Sequence, residues 1–245
     1  MALRGVIFDL GGTIVEYEGP RAWEWPGLEA FRQTLIDFGY ADTPSTEALL
    51  NVHIRLIEDL YRRLEQDPHA SLTQDQVFQA MLAEGGIALT PAQRDAALAR
   101  YYEVSHSHVR LLPGARETLQ AVQARGLRLA ALSNTQWPGR ELDLTLDVLG
   151  VKPYLPVRVY SADVGVWKPW PAIFERALAA LDLKPEETAY VGDVPRFDVK
   201  GAHGVGMRAV WLNRQGNAPV DGLVPDATIH TLPELLDVVD RWMRE

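Results

Sequence analysis

Val6-Ile7-Phe8-Asp9-Leu10-Gly11-Gly12-Thr13-Ile14 is a short apolar run that meets a carboxylate and then two glycines. A continuous apolar run bounded by a Gly pair reads as a strand buried on both faces of a parallel sheet. In open α/β sheets ligands sit beyond the carboxyl ends of such strands, so Asp9 stands at the place where chemistry is done. Gly11 and Gly12 let the backbone approach an anion closely, and Thr13 adds a hydroxyl donor.

The character of the chain changes after this strand. Ile14 to Glu18 reads as a short hairpin or flap, and Gly19-Pro20 breaks it. From about Pro26 to His108 the periodicity is helical throughout, with Leu28, Phe31, Leu35 and Phe38 on one face and Leu49, Leu50, Ile54, Ile57, Leu60, Tyr61 and Leu64 on another. Two further helices are expected over Gln74 to Glu84 and Pro91 to Val104. The first is opened by Thr73 with Gln76 as a capping box, the second by Thr90 as N-cap with Pro91 as first helical residue. From Pro113 onward strands and helices alternate, which is the pattern of a parallel sheet covered by helices. Strands are expected at Leu127 to Leu132, Arg158 to Ser161, Thr188 to Val191 and Ala209 to Leu212. Helices are expected over Pro113 to Ala124, Glu141 to Leu149, Trp170 to Leu181, Val194 to His203 and Leu232 to Arg244, and a loop over Ala218 to Asp226. The expectation is an α/β fold with a Rossmann-like parallel sheet core, residues 1–18 and 109–245, and an inserted all-helical cap, residues 19–108.

Composition narrows the functional class. With no Cys there is no disulfide scaffold, no Cys nucleophile and no Cys-based zinc site, which fits a reducing cytoplasm. The first residues lead directly into the strand without a signal segment, and no long uncharged apolar run follows, so a soluble cytoplasmic protein is expected. A net charge of −9 disfavours a nucleic acid or an anionic membrane as partner and leaves small phosphorylated molecules open, provided a local cation receives them. The four Lys lie at 152, 168, 184 and 200, all in the second part of the chain.

Three later stretches complete a set with the first. Ser133 follows Leu132 at a strand end, Lys168-Pro169 closes Val164-Gly165-Val166-Trp167-Lys168-Pro169, and Gly192-Asp193 opens a segment with Asp198 and Gly201-Ala202 downstream. In this order and spacing the chain resembles the haloacid dehalogenase-like hydrolase superfamily over essentially its whole length. The resemblance implies Asp9 as nucleophile, with Ser133 and Lys168 beside it as catalytic residues. It implies substrate contacts from Gly12, Thr13 and Asn134, the Gly12 and Thr13 amides holding phosphate oxygens. It also implies a Mg²⁺ site from Asp9, the Gly11 carbonyl, Asp193 and Asp198, where Asp198 holds a metal-bound water or orients Lys168. The chemistry is coherent. A carboxylate attacking phosphorus divides one difficult hydrolysis into two displacements, and anions that would repel need a cation between them.

One position departs from the pattern. Family phosphatases carry a second Asp two residues after the nucleophile, where this chain has Gly11. That Asp protonates the leaving oxygen and then activates water, help worth typically about 10²–10⁴-fold. Glu16 and Tyr17 are the nearest residues on the flap that could take its place. Three readings stay open: a Mg²⁺-dependent phosphatase for a small phosphomonoester with a good leaving group, a 2-haloacid dehalogenase, and a catalytically impaired binding or scaffold protein. A phosphonate hydrolase would need a cap lysine for a Schiff base, and residues 1–151 contain none. Arg21, Trp23, Trp25 and Trp137 either hold a substrate ring or pack the two domains together. His53, His106 and His108 show no metal-ligand spacing and are expected at solvated helix or loop positions.

Overall fold

The computed structural model describes residues 2–17, 24–220 and 222–245. The opening run forms β1 (Gly5–Phe8), fully buried as a parallel strand covered on both faces must be. After the tight turn at Gly11-Gly12 comes β2 (Val15–Tyr17), followed among the described residues by four helices: α1 (Glu24–Asp37), α2 (Thr46–Arg63), α3 (Gln74–Glu84) and α4 (Pro91–His106). The chain returns through β3 (Val109–Leu111), which pairs antiparallel with β2. The rest alternates as α5 (Ala115–Ala124), β4 (Arg128–Ser133), α6 (Gly139–Val148), β5 (Val157–Tyr160), α7 (Ser161–Val164), α8 (Pro171–Leu181), β6 (Thr188–Gly192), α9 (Asp198–Gly204), β7 (Arg208–Leu212), β8 (Ala227–Ile229) and α10 (Leu235–Trp242).

Six strands form one parallel sheet in the order β5-β4-β1-β6-β7-β8. Their side chains alternate between two cores. Val6, Phe8, Leu129, Ala131, Val191 and Val210 face one, while Ile7, Ala130, Leu132, Tyr190, Ala209 and Trp211 face the other. A side-chain period of two produces this division, and it fixes register because a one-residue slip would exchange the two faces. Phe8 lies opposite Ala131 on β4 and Val191 on β6, so the carboxyl ends of the three strands finish on one edge. That edge carries Asp9, Ser133-Asn134 and Asp193.

Two of the helices between β2 and β3, α3 and α4, carry the caps read from the sequence. Thr73 with Gln76 and Thr90 with Gln93 are both complete capping boxes, and Pro91 opens α4. These helices are seated on the sheet domain by main-chain groups: the Gln74 N–H donates to the Gln136 carbonyl (2.8 Å), and the Trp170 indole N–H donates to the Leu64 carbonyl (3.1 Å). No helix among the described residues is long and apolar enough to cross a membrane.

Several boundaries differ from the sequence expectation. The helix expected from Val194 begins at Asp198, because the Asp198 carboxylate accepts from the Val194 N–H (2.8 Å) and holds residues 194–197 as a turn. The final helix begins as a 3₁₀ turn, Leu232–Glu234, before α10. Strands β3 and β8, three residues each, have no counterpart in the sequence expectation; they are too short for a period of two to register. His53 is not solvated but buried at 5 % exposure, and His106 is tucked against Thr145 and Glu141.

Helix α9 lies unusually close to the loop that bears Lys168. A Cβ on Gly201 would meet the Phe174 ring at 2.3 Å and the Pro169 Cα at 3.2 Å. Gly201→Ala should therefore push α9 outward and lower stability by about 1–3 kcal/mol, as overpacking does. Urea unfolding monitored by circular dichroism checks this; a midpoint equal to wild type would contradict it.

Candidate active site

Asp9 follows the last residue of the central strand, its backbone N–H bonded to the Val191 carbonyl at 2.9 Å. Lys168 comes from the loop before α8, and its ammonium bridges two carboxylates: Asp9 Oδ1 at 2.9 Å and Asp198 Oδ1 at 2.8 Å. It also donates to the Tyr190 hydroxyl (2.8 Å), which in turn donates to the Leu132 carbonyl (2.9 Å). Asp9, Lys168 and Asp198 are 7 %, 2 % and 1 % exposed. An ammonium this deeply buried is tolerable only because every direction it points carries a partner.

The loop is held by Asn134, whose side chain reads both ends of the Lys168 residue. Its Oδ1 accepts from the Lys168 N–H (2.7 Å) and its Nδ2 donates to the Lys168 carbonyl (3.1 Å). The Asn134 side chain thus positions Lys168, and Asn134 also lines the cavity that holds Asp9. A correction concerns the glycine turn. The Gly12 N–H already donates to the Val15 carbonyl (2.9 Å) and the Thr13 N–H to the Leu10 carbonyl (3.1 Å), so both are committed to the turn and are not spare phosphate donors. The Thr13 hydroxyl, in contrast, is buried with no partner.

Asp193 faces this cluster across the turn. Its carboxylate lies where a Cβ on Gly12 would sit, 2.2 Å from Oδ2, and Gly12 has φ +77°, so glycine is required there on both counts. Asp9, Asp193 and Asp198 each offer an oxygen within 4.8 Å of the others. Burial first, then the neighbouring Asp9 and Asp198 carboxylates, push the Asp193 carboxyl up to about 8. Burial also raises Asp9, to about 6, against the pull of Lys168. Burial alone would lower the Lys168 ammonium, but the two carboxylates outweigh it and hold the group firmly charged. Three carboxylates therefore share one ammonium, and Asp193 Oδ1 is buried without a hydrogen bond. An all-oxygen donor set with surplus negative charge fits a hard divalent cation.

Of the flap residues, Glu16 is tied to Arg214 (2.7 Å) and lies 3.6 Å from Arg110. The Arg214 hydrogen bond above all holds its carboxyl below the usual range, so it is an ionised group bound to its neighbours and not a proton donor at the site. Trp25 packs against the core, and Trp137 stands edge-on to Tyr101, Tyr102 and His106. Arg21, Trp23 and the side chain of Tyr17 lie outside the described residues. Two participants give no signal in the sequence. Tyr190 is hidden in an apolar strand, and Arg196, 5.4 Å over the Tyr61 ring and 4.7 Å over Phe197, reads there as an ordinary surface charge.

The model of the haloacid dehalogenase-like hydrolases matches residues 3–206. A glyceraldehyde 3-phosphate phosphatase of Methanopyrus kandleri is 32 % identical over 246 residues, 97 % of either chain. A phosphoserine phosphatase of Thermus thermophilus is 35 % identical over 163 residues; the match covers 66 % of this chain and 63 % of that protein, under two thirds of its length. Among solved structures, a 2-haloacid dehalogenase from Pseudomonas syringae superposes with a TM-score of 0.75 at 27 % identity, over 98 % of this chain and 99 % of that one.

Removing the ammonium should expose how much the cluster depends on it. Lys168→Met leaves Asp9 and Asp198 buried and facing one another, a loss of about 3–5 kcal/mol at neutral pH. The loss should shrink as the pH falls and Asp9, whose carboxyl burial has already raised to about 6, protonates. Denaturant unfolding at pH 7 and pH 5 measures both; an equal deficit at the two pH values would contradict it.

Proposed function

Because the chain belongs to the haloacid dehalogenase-like hydrolases, we propose that it is a phosphatase that hydrolyses a small phosphomonoester through an aspartyl-phosphate on Asp9. The observation that carries this reading is the cluster of Asp9, Asp193 and Asp198 around the Lys168 ammonium, with a buried Asp193 oxygen that no group among the described residues satisfies. Relatives named as phosphatases support it. We take Mg²⁺ as the ion, with Asp9, Asp193 and the Gly11 carbonyl as its protein ligands and Asp198 nearby. When bound, it neutralises the carboxylates and the phosphoryl oxygens so that one anion can approach another.

The chain's own groups supply the rest. Asp9 attacks phosphorus with the oxygen that Lys168 does not hold, and Lys168 steadies the phosphoryl charge from the other side. Ser133, buried at the end of β4, and the Thr13 hydroxyl offer donors to the phosphoryl oxygens. Asp198 positions Lys168 from behind. The helices within residues 19–108 act as the cap that excludes water over the sheet edge, and a protein without Cys suits the cytoplasm.

The dehalogenase reading has structural likeness behind it, and displacement of halide needs no proton donor at position 11. It leaves the Asp193 oxygen without a purpose, however, and the phosphatase reading gives it one. Phosphate release from a panel of phosphorylated metabolites and an aryl phosphate, with Mg²⁺ or with chelator, decides between them. Turnover should require the metal and fall by at least about 10³-fold in Asp9→Ala, while chelator-resistant chloride release from 2-chloropropionate would favour the alternative.

Gly11→Asp restores the missing acid. Activity on esters of poor leaving groups should rise about 10-fold or more, and activity on the aryl phosphate should change little, because only the first class needs the proton. Equal gains on both classes would be contrary to this account.

A further inference from the structure

A second cavity, of about 330 Å³, opens beside the carboxylate cluster under the cap helices, with Leu50, Ile54, Ile57, Trp137 and Leu142 in its walls. It shares Gly11, Tyr61, Ser133 and Asn134 with the cavity that contains Asp9 and Lys168, so the two adjoin. At the volume of a water per atom it has room for on the order of ten non-hydrogen atoms, the size of a small leaving group.

Buried polar side chains interrupt these apolar walls, and they are arranged around Glu24 from the start of α1. Glu24 is 1 % exposed, and its neighbours turn to one of its two oxygens. The Tyr101 hydroxyl donates to Oε2 at 2.5 Å, and His53 Nδ1 lies 3.6 Å from the same atom. On the far side of the ring, His53 Nε2 is 3.2 Å from the Gln136 amide nitrogen; an amide donating there places the imidazole proton on Nδ1, toward Glu24. Oε1 has no hydrogen-bond partner among the described residues. Burial raises the Glu24 carboxyl to about 8 and lowers the His53 imidazole to about 4, so near neutral pH the two are uncharged in spite of their ion-pair distance. With Oε2 taken by the Tyr101 hydroxyl, a neutral carboxyl has Oε1 left to carry its proton.

We infer that Glu24 reads the leaving group: its Oε1–H donates to a hydroxyl or carbonyl oxygen on an uncharged short carbon chain lying along the apolar walls. This assigns the substrate to the monophosphates of small neutral polyols and hydroxycarbonyl compounds, and it rests on the phosphatase reading. Apolar walls bury the carbon chain, and the carboxyl supplies the selective contact. A leaving group with its own carboxylate is disfavoured, because it would meet Glu58 in the wall of this cavity.

The test measures phosphate release by wild type, Glu24→Gln and Glu24→Leu on glycerol 3-phosphate, n-propyl phosphate and 3-aminopropyl phosphate. Glu24→Leu should lose about 10- to 100-fold in kcat/KM on glycerol 3-phosphate, chiefly through KM, and stay within about threefold on n-propyl phosphate. Glu24→Gln retains a donor and an acceptor and should stay within about fivefold of wild type on glycerol 3-phosphate. Equal losses of Glu24→Leu on both esters would mean a merely structural residue and overturn the inference. So would a wild-type preference for the amino ester that Glu24→Gln abolishes, which would mark Glu24 as an anionic site for ammonium. Unchanged kinetics in both variants would remove Glu24 from recognition while leaving the phosphatase reading intact. No phosphate from any ester, the aryl phosphate included, would overturn the phosphatase reading and the inference with it.

Discussion

Burying the Lys168 ammonium is the constraint on which the site depends. A lone charge in such a place would cost far more than the few kcal/mol by which folded domains are stable, so its partners must arrive with the fold. They come from separate elements: Asp9 from the end of β1, Tyr190 from β6, Asp198 from the start of α9. Asn134, just past β4, fixes the main chain on both sides of the lysine side chain. Asp198 also holds the turn at Val194, so the residue that pairs with the lysine also shapes the loop that bears Asp193. The cluster is thereby assembled by the requirement that no charge be left alone, and its geometry follows from that requirement. It stops one cation short: three carboxylates and one ammonium leave an oxygen on Asp193 that no group among the described residues satisfies.

Sheet register determines where this happens. Three parallel strands whose carboxyl ends are level deliver their following residues to a single edge, and the alternation of side chains between two apolar cores prevents any strand from slipping. The helices between β2 and β3 meet this edge through the antiparallel β2–β3 pair and bonds such as Trp170 to Leu64. A rigid edge beneath a helical cover gives two kinds of wall. One is charged and fixed by the sheet, the other apolar and supplied by α2 and its neighbours.

Features that depend on neighbours along the chain are legible in the amino-acid sequence. Strand β1, the strand ends at Ser133 and Gly192, the two capping boxes and the alternation after Pro113 each rest on local chemistry, and each has its counterpart in the fold. What the sequence hides depends on neighbours in space. Tyr190 looks like one more strand residue until Lys168 is placed against its hydroxyl. His53 on a helix reads as solvated, because nothing in its stretch says that Glu24 and Gln136, from distant parts of the chain, will lie against its ring. Likewise the Gly12 and Thr13 amides look available in a glycine turn, and only the closed turn shows them donating to Val15 and Leu10.

Gly11 connects these parts. It lines both the charged cavity and the apolar one, so the position that elsewhere in the family holds an acid is here part of the passage between phosphate and leaving group. The nearest flap carboxylate, Glu16, is held ionised by Arg214 and cannot lend a proton. Expulsion of the leaving oxygen then depends more on the leaving group itself, and a hydroxyl or carbonyl beside that oxygen makes its alkoxide less basic than that of a plain alkyl chain. The substituents that a neutral Glu24 can recognise are thus the ones that ease departure without an acid at position 11. Specificity and chemistry are in this way set by the same part of the substrate, and a side chain at position 11 would alter both at once.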